Sequence, residues 1–156
     1  NDLVEKGQEK FQKEIKKGNL QIVNCAISEL DNQKISFFVS ELDQESSVNE
    51  EMARNGGAVK KVEVNSSTLS TLFKKHGIPY YCKIDIEGYD NVALSTLKNN
   101  NELLPKYISA EINNLSDEGV ISRKIDDEQQ LFALWTSTLD ILKSLGYTKF
   151  KLVDQY

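Results

Sequence analysis

The run Tyr80-Tyr81-Cys82-Lys83-Ile84-Asp85-Ile86-Glu87-Gly88 constrains this chain more than any other stretch. Apolar and aromatic residues lead into two carboxylates and a glycine, and a helical pattern starts at once. A buried strand reads this way when it delivers acidic side chains to the carboxyl edge of a parallel sheet, where open α/β folds bind ligands. Burying two carboxylates without partners is costly, so the strand must end where water, a cation or a ligand meets them.

The patterns around this run supply the rest of an α/β unit. Residues 2–17 predict a helix: Asp2 and Glu5 have capping-box spacing, Val4, Phe11 and Ile15 share a face, and Gly18 follows Lys16-Lys17 as a stop. Leu20 to Ile27 and Lys34 to Ser40 alternate as strands, with Asp31-Asn32 marking the turn between them. Residues 41–58 predict a long polar, acidic loop. Val59 to Asn65 returns to strand, and Ser67 is placed to cap a helix carrying Leu69, Leu72, Phe73 and His76, ended by Gly77 and Pro79. After the opening run come a helix near 90–98 and a strand from Tyr107 to Ile112, which again reaches a carboxylate, Glu111. A polar stretch at 113–128 precedes a long helix whose stripe is Leu131, Leu134, Trp135, Thr138, Leu142 and Leu145, and Thr148 to Asp154 closes the pattern as a strand. The alternation from residue 59 onward predicts βαβ crossovers and a mostly parallel sheet in one domain spanning 1–156.

Composition narrows the function classes. With 39% hydrophobic and 28% charged residues, the chain is of the ordinary globular kind. A net charge of −5 argues against nucleic acid as a partner, because phosphate binding needs surplus Lys and Arg. No apolar run approaches the roughly 20 residues that span a bilayer, so no membrane association is expected. Cys25 and Cys82 lack metal-ligand spacing and there is a single histidine, so no metal centre is expected. Two free thiols in strand-like runs fit a reducing, cytoplasmic setting.

Asp85, Glu87 and Glu111 form the candidate constellation. Residues 85 and 87 share a face on a continuous strand, and neighbouring strands ending at Ile86 and Ile112 bring all three carboxylates to one crevice. Clustered carboxylates raise one another's pKa or recruit a cation, and either serves catalysis. On spacing alone an equally good reading has Asp85, Glu87 and Asp90 merely satisfying the N-terminus of the following helix. His76 falls at the opposite sheet edge and reads as a helix-end residue. Trp135 reads as core, and Lys83 either snorkels past the strand edge or pairs with a neighbouring carboxylate. No G-x-G-x-x-G or Walker-type loop occurs anywhere, and no G-x-S-x-G elbow supports a hydrolase.

Three segments together carry a family resemblance. Val62-Glu63-Val64-Asn65-Ser66-Ser67-Thr68-Leu69-Ser70-Thr71-Leu72, Tyr81-Cys82-Lys83-Ile84-Asp85-Ile86-Glu87-Gly88-Tyr89 and Ile108-Ser109-Ala110-Glu111-Ile112 resemble the second half of an FkbM-type methyltransferase. That family pairs a Val-x-Thr-Thr-Leu-Asp segment with a Lys-Ile-Asp-x-Glu-Gly strand and a later strand ending in glutamate. Ser70 stands where the family usually has aspartate. The resemblance implies a Rossmann-like, three-layer fold and transfer of a methyl group from S-adenosylmethionine to a hydroxyl of a sugar or natural product. It implies Asp85, Glu87 and Glu111 as catalytic carboxylates that orient or deprotonate a small-molecule or glycan acceptor. It also puts Asn24, Cys25 and Ala26 near the adenine, and Ser46-Ser47 in the loop over the site.

The same resemblance implies a truncated sheet. The family's glycine-rich cofactor loop and the acidic residue of its second strand belong before Asp2, so the Leu20–Ile27 strand is expected to lack a neighbour. Weak or absent S-adenosylmethionine binding by these 156 residues follows. The rival expectation is a non-catalytic α/β module whose acidic edge caps helices or binds a divalent cation.

Overall fold

A computed structural model describes residues 2–42, 46–54, 57–86, 89–110 and 128–153, with backbone only at 2, 3, 52, 128–131 and 133–135. Glu87, Glu111 and the whole of 113–127 lie outside the described residues. The described chain is mixed α/β, with two small sheets and a set of packed helices.

The N-terminal helix forms in two pieces, α1 (Asp2–Lys10) and α2 (Gln12–Lys16). Phe11 leaves helical geometry at φ −107° and ψ 20°, yet its N–H still bonds Gly7 O and its carbonyl still accepts from Ile15 N, each at 3.0 Å. The interruption is therefore a local distortion of one helical path. Gly18 ends it at φ +76°, where Gly18 N–H reaches Ile15 O and Asn19 N–H reaches Glu14 O, the paired bonds of a Schellman stop.

The first sheet holds β1 (Ala26–Ile27), β2 (Lys34–Ser40) and β3 (Val59–Ser67) in the order β1-β3-β2. β2 and β3 run antiparallel over seven pairs, from Lys34 opposite Asn65 to Ser40 opposite Val59. β1 runs parallel to the end of β3, with Ala26 opposite Ser66 and Ile27 opposite Ser67. The expected strand Leu20–Ile27 is thus confined to its last two residues. Alternation alone does not make a strand where no neighbour supplies hydrogen bonds: Leu20 and Val23 are exposed, and β1 has β3 on one side only. The second sheet pairs β4 (Tyr81–Lys83) and β5 (Tyr107–Ser109) in parallel. One mostly parallel sheet was expected; the described residues form two sheets, and the longest ladder is antiparallel.

The turn from β1 to β2 wraps the end of β3. Ser66 is its hub: its Oγ donates to Leu30 O and accepts from Gln33 N, while its backbone bonds Asn32 and Gln33. Beside it Asp31 reaches α4 (Leu69–His76). Its carboxylate accepts from Thr68 N at 2.7 Å, Thr71 Oγ1 at 2.8 Å, and the hydroxyls of Ser67 and Thr68 at 3.2 Å. Thr68 itself caps the helix through Thr71 N, one position later than the Ser67 cap expected. These donors, the Thr68 amide foremost, hold the Asp31 carboxyl below its ordinary range against a smaller opposing effect of burial. A lowered folded-state pKa contributes stability above the unfolded value, and that contribution is lost as pH falls through the folded value. Asp31→Asn is expected to lower unfolding free energy by about 2 kcal/mol at neutral pH. In denaturant titrations the gap from wild type should close below about pH 4; a gap independent of pH would count against a charged Asp31 anchor.

The core gathers α4, α5 (Asp90–Ser95), the 3₁₀ turn Asn101–Leu103, the sheet β4–β5 and α6 (Glu128–Ser144). Leu69, Phe73, Ile84, Ala93, Leu94, Leu97 and Leu145 are buried at its centre. α5 is shorter than the 90–98 expected, and β5 stops at Ser109 rather than Ile112. Ser70 is buried, its hydroxyl donates to Thr96 O, and Thr96 Oγ1 accepts from Leu69 N, so the aspartate's replacement ties α4 to the end of α5. Asn91 joins α5 to α6 by bonds to Ser137 Oγ and Thr138 Oγ1. Of the expected α6 stripe, Thr138 and Leu145 are buried and Leu142 packs against the core, while the side chains of Leu131, Leu134 and Trp135 are outside the described set. Residues 148–153 are not a strand. Phe150, Leu152 and Val153 are exposed, and no described strand lies alongside to pair with them. No described helix is long and apolar enough to cross a membrane.

Candidate functional site

Asp85 lies just past β4 at its carboxyl end. Ile84 N–H extends the ladder to Ser109 O at 2.8 Å, and its side chain is buried, so the strand direction is fixed up to the residue before Asp85. The Asp85 carboxylate then emerges into solvent and meets the Lys83 ammonium at 2.6 Å. Of the two alternatives for Lys83, pairing with a carboxylate is the one observed. With the Lys83 and Asp85 side chains 60% and 43% exposed, the ion pair orients the carboxylate more than it stabilises the fold.

Asp90 behaves differently from Asp85. It is almost wholly buried, at 1% exposure, and its Oδ2 accepts from Ile86 N at 3.4 Å. It pins the loop between β4 and α5 from inside. Asp90 is thus buried at the helix start, whereas Asp85 is accessible. The positions of Glu87 and Glu111 beside Asp85 fall outside the described residues. Among the described residues no three His, Cys, Asp or Glu side chains gather as a metal site.

The expected cofactor strand end runs from surface to interior. Asn24 is exposed, Cys25 half-buried and Ala26 buried. Burial pushes the Cys25 thiol up, against a weaker pull from the Lys75 ammonium, and burial raises Cys82 likewise, so both stay neutral thiols. Neither of two surface clefts is lined by residues 24–26. A hollow of about 560 Å³ between α1–α2 and Gln21–Ile22 holds none of the expected site residues.

A second cleft, of about 280 Å³, opens where β1 ends. Its walls are Ile27 and Ser28, Ile35 and Ser36 of β2, Val48, and Tyr89 at the start of α5. Spacing gave no hint of it, because four separate segments meet there only through the fold. In the loop after β2, expected to lie over the site, the described residues Ser46 and Ser47 bond back to that strand. Ser47 forms a two-way backbone bridge with Phe38, and Ser46 Oγ accepts from Ser40 N at 3.0 Å. Its later part is helical, α3 (Glu50–Arg54), with Asn49 Oδ1 accepting from Glu51 N at 2.9 Å. His76 is exposed at the end of α4.

No curated protein and no solved structure matched the chain. A family model did, that of the methyltransferase FkbM domain, over residues 4–149. The match takes in the strand end at 24–26, the β2–β3 hairpin, α4, Asp85 and α6, and the chain therefore belongs to the FkbM methyltransferase domain family.

Proposed function

We propose that this domain serves O-methyl transfer, with S-adenosylmethionine as donor and a hydroxyl of a sugar or natural-product-like small molecule as acceptor. Family membership over residues 4–149 is the observation that carries the reading. An accessible carboxylate at the end of β4 supports it, because a hydroxyl must be oriented and relieved of its proton as it is methylated. In this reading Asp85 accepts that hydrogen bond, Lys83 holds the carboxylate in place, and Glu87 and Glu111 complete the acidic edge. Asp90 holds the backbone of Ile86, the residue after Asp85. In this reading the two described sheets belong to one Rossmann-like fold.

The test is transfer of labelled methyl from S-adenosylmethionine to a panel of hydroxylated acceptors by the protein expressed from its natural reading frame. Label in an acceptor hydroxyl is expected. Label in none of the panel, with the cofactor demonstrably bound, would contradict the proposal.

A further inference from the structure

Exposed rings and lysines meet at the amino-terminal edge of the β4–β5 sheet, the end opposite Asp85. β4 and β5 run parallel with Tyr81 opposite Tyr107, so the residues that lead into them come together at one edge. Ile78, Tyr80 and Tyr107 stand there 46%, 66% and 51% exposed. The Tyr80 and Tyr107 rings touch edge to face, with centroids 5.3 Å apart and planes at 68°. The Lys106 ammonium lies over both, 5.4 Å from the Tyr80 centroid and 5.6 Å from that of Tyr107. α4 delivers the chain to β4, and its last turn brings Lys74 and Lys75, both exposed, to the same end. Glu102, on the 3₁₀ turn that packs beside α4, opposes part of this charge.

Contiguous apolar surface left in water marks a place where a partner sits, and lysines around it favour an anionic one. The side chains separate the classes of anion. Stacking of successive nucleic-acid bases needs open ring faces, whereas Tyr80 and Tyr107 are turned 68° apart and Lys106 lies over both. Protein interfaces favour arginine and are depleted in lysine, and the cations here are Lys74, Lys75 and Lys106. A lipid surface makes neither demand. Tyrosine suits it because the ring enters the apolar boundary while the hydroxyl stays wet. Lysine suits it because the stem lies along that boundary with the ammonium among the headgroups. The lack of a spanning run, from which no membrane association was expected, bears on crossing a bilayer and not on resting against one.

We propose that this edge docks the domain on the surface of an anionic phospholipid bilayer. Ile78, Tyr80 and Tyr107 enter the interface, and Lys74, Lys75 and Lys106 meet the headgroups. Docked so, the domain turns the carboxyl end of β4 away from the lipid, because Tyr81 to Asp85 spans roughly 13 Å of extended chain. Asp85 then keeps its access from the aqueous side. Binding at this edge is independent of the methyltransferase reading.

Co-sedimentation of the 156-residue chain with lipid vesicles tests this. Vesicles of phosphatidylcholine mixed with phosphatidylserine should bind it at least about tenfold more tightly than phosphatidylcholine alone. Salt at about 1 M, which screens charges beyond roughly 3 Å, should release it. A lysine near an anionic surface contributes about fivefold, so Lys106→Gln should weaken binding about fivefold and the double change Lys74→Gln with Lys75→Gln about 25-fold. Tyr80→Ser should weaken binding several-fold and leave its dependence on phosphatidylserine intact. Lys34→Gln, at an exposed lysine opposite Asn65 near the start of α4 rather than its end, should bind as wild type does. Equal binding to both kinds of vesicle, binding to neither, or wild-type binding by Lys106→Gln would overturn the proposal. So would tighter capture by a single-stranded oligonucleotide or a polyglutamate peptide than by the vesicles, weakened by the same substitutions.

Discussion

Asp85→Asn should lower kcat for methyl transfer by about 100-fold while leaving the dissociation constant of S-adenosylmethionine within about twofold. A positioned carboxylate that takes a proton typically contributes 10²–10⁴ in rate, and the amide keeps the size of the side chain while losing its basicity. The geometry argues for an effect on kcat over binding. Asp85 stands at the exposed end of β4, its carboxylate turned to solvent beside Lys83, and its backbone follows a buried residue that the substitution does not disturb. Lys83→Met is the informative companion. If Asp85 served only as a surface ion-pair partner, both variants would lose the same small amount of stability and keep wild-type turnover. With Asp85 as the base, Lys83→Met costs less than tenfold, because it loosens the carboxylate without removing it. Equal turnover in wild type and Asp85→Asn would remove Asp85 from the chemistry.

Leu94→Ala should be the most damaging single truncation in the described core, lowering unfolding free energy by about 3 kcal/mol. Leu94 has no exposed surface and belongs to the buried cluster that also holds Leu69, Phe73, Ala93 and Leu97. α5 has only six residues, too few to be helical without that packing. Its burial sets the places of Tyr89 and Asp90 at its start, so the effect spreads to the loop beside Asp85. A loss of this size takes a large share of a typical stability of 5–15 kcal/mol and lowers the melting temperature by roughly 10 °C. Leu30→Ala, at a leucine 62% exposed, serves as the control and should change stability by less than about 0.5 kcal/mol. A similar small change at Leu94 would mean that α5 is not held by the core described.

Elements whose signals are local were legible in the sequence. β2 and β3 show clean alternation, and α4 has a hydroxyl cap ahead of it and Gly77 behind it, so both were placed to within two residues. The failures are of one kind. Leu20–Ile27 and Thr148–Asp154 alternate just as well, but a strand is a pairing, and the described neighbours supply one only at Ala26–Ile27. Residues 50–54 carried a usable signal that the acidic composition hid, since Asn49 before Glu50-Glu51 is a helix cap. Asp31 read as a turn residue. Its bonds to Thr68 and Thr71 join residues nearly forty positions apart, which no local pattern reveals.

The site divides along the same line. Asp85 was legible because a strand ending in a carboxylate is a local pattern, and so was its pairing with Lys83 two residues away. The difference in burial between Asp90, inside, and Asp85, outside, was not legible, because it depends on packing that the local pattern does not show. The cleft of Ile27, Ser28, Ile35, Ser36, Val48 and Tyr89 left no trace in spacing, because it exists only after the β1–β2 turn has wrapped the end of β3.

The fate of a ¹³C-labelled methyl group decides whether the carboxyl end of β4 is a site of O-methylation. With S-adenosylmethionine labelled at that carbon and a neutral hydroxylated acceptor, the product made by the protein from its natural reading frame should show the label at the chemical shift of a methyl ether. The signal should fall about 100-fold in rate for Asp85→Asn. Label appearing as an N-methyl or C-methyl signal, or a methyl ether formed equally fast without Asp85, would contradict a reaction run at that strand end.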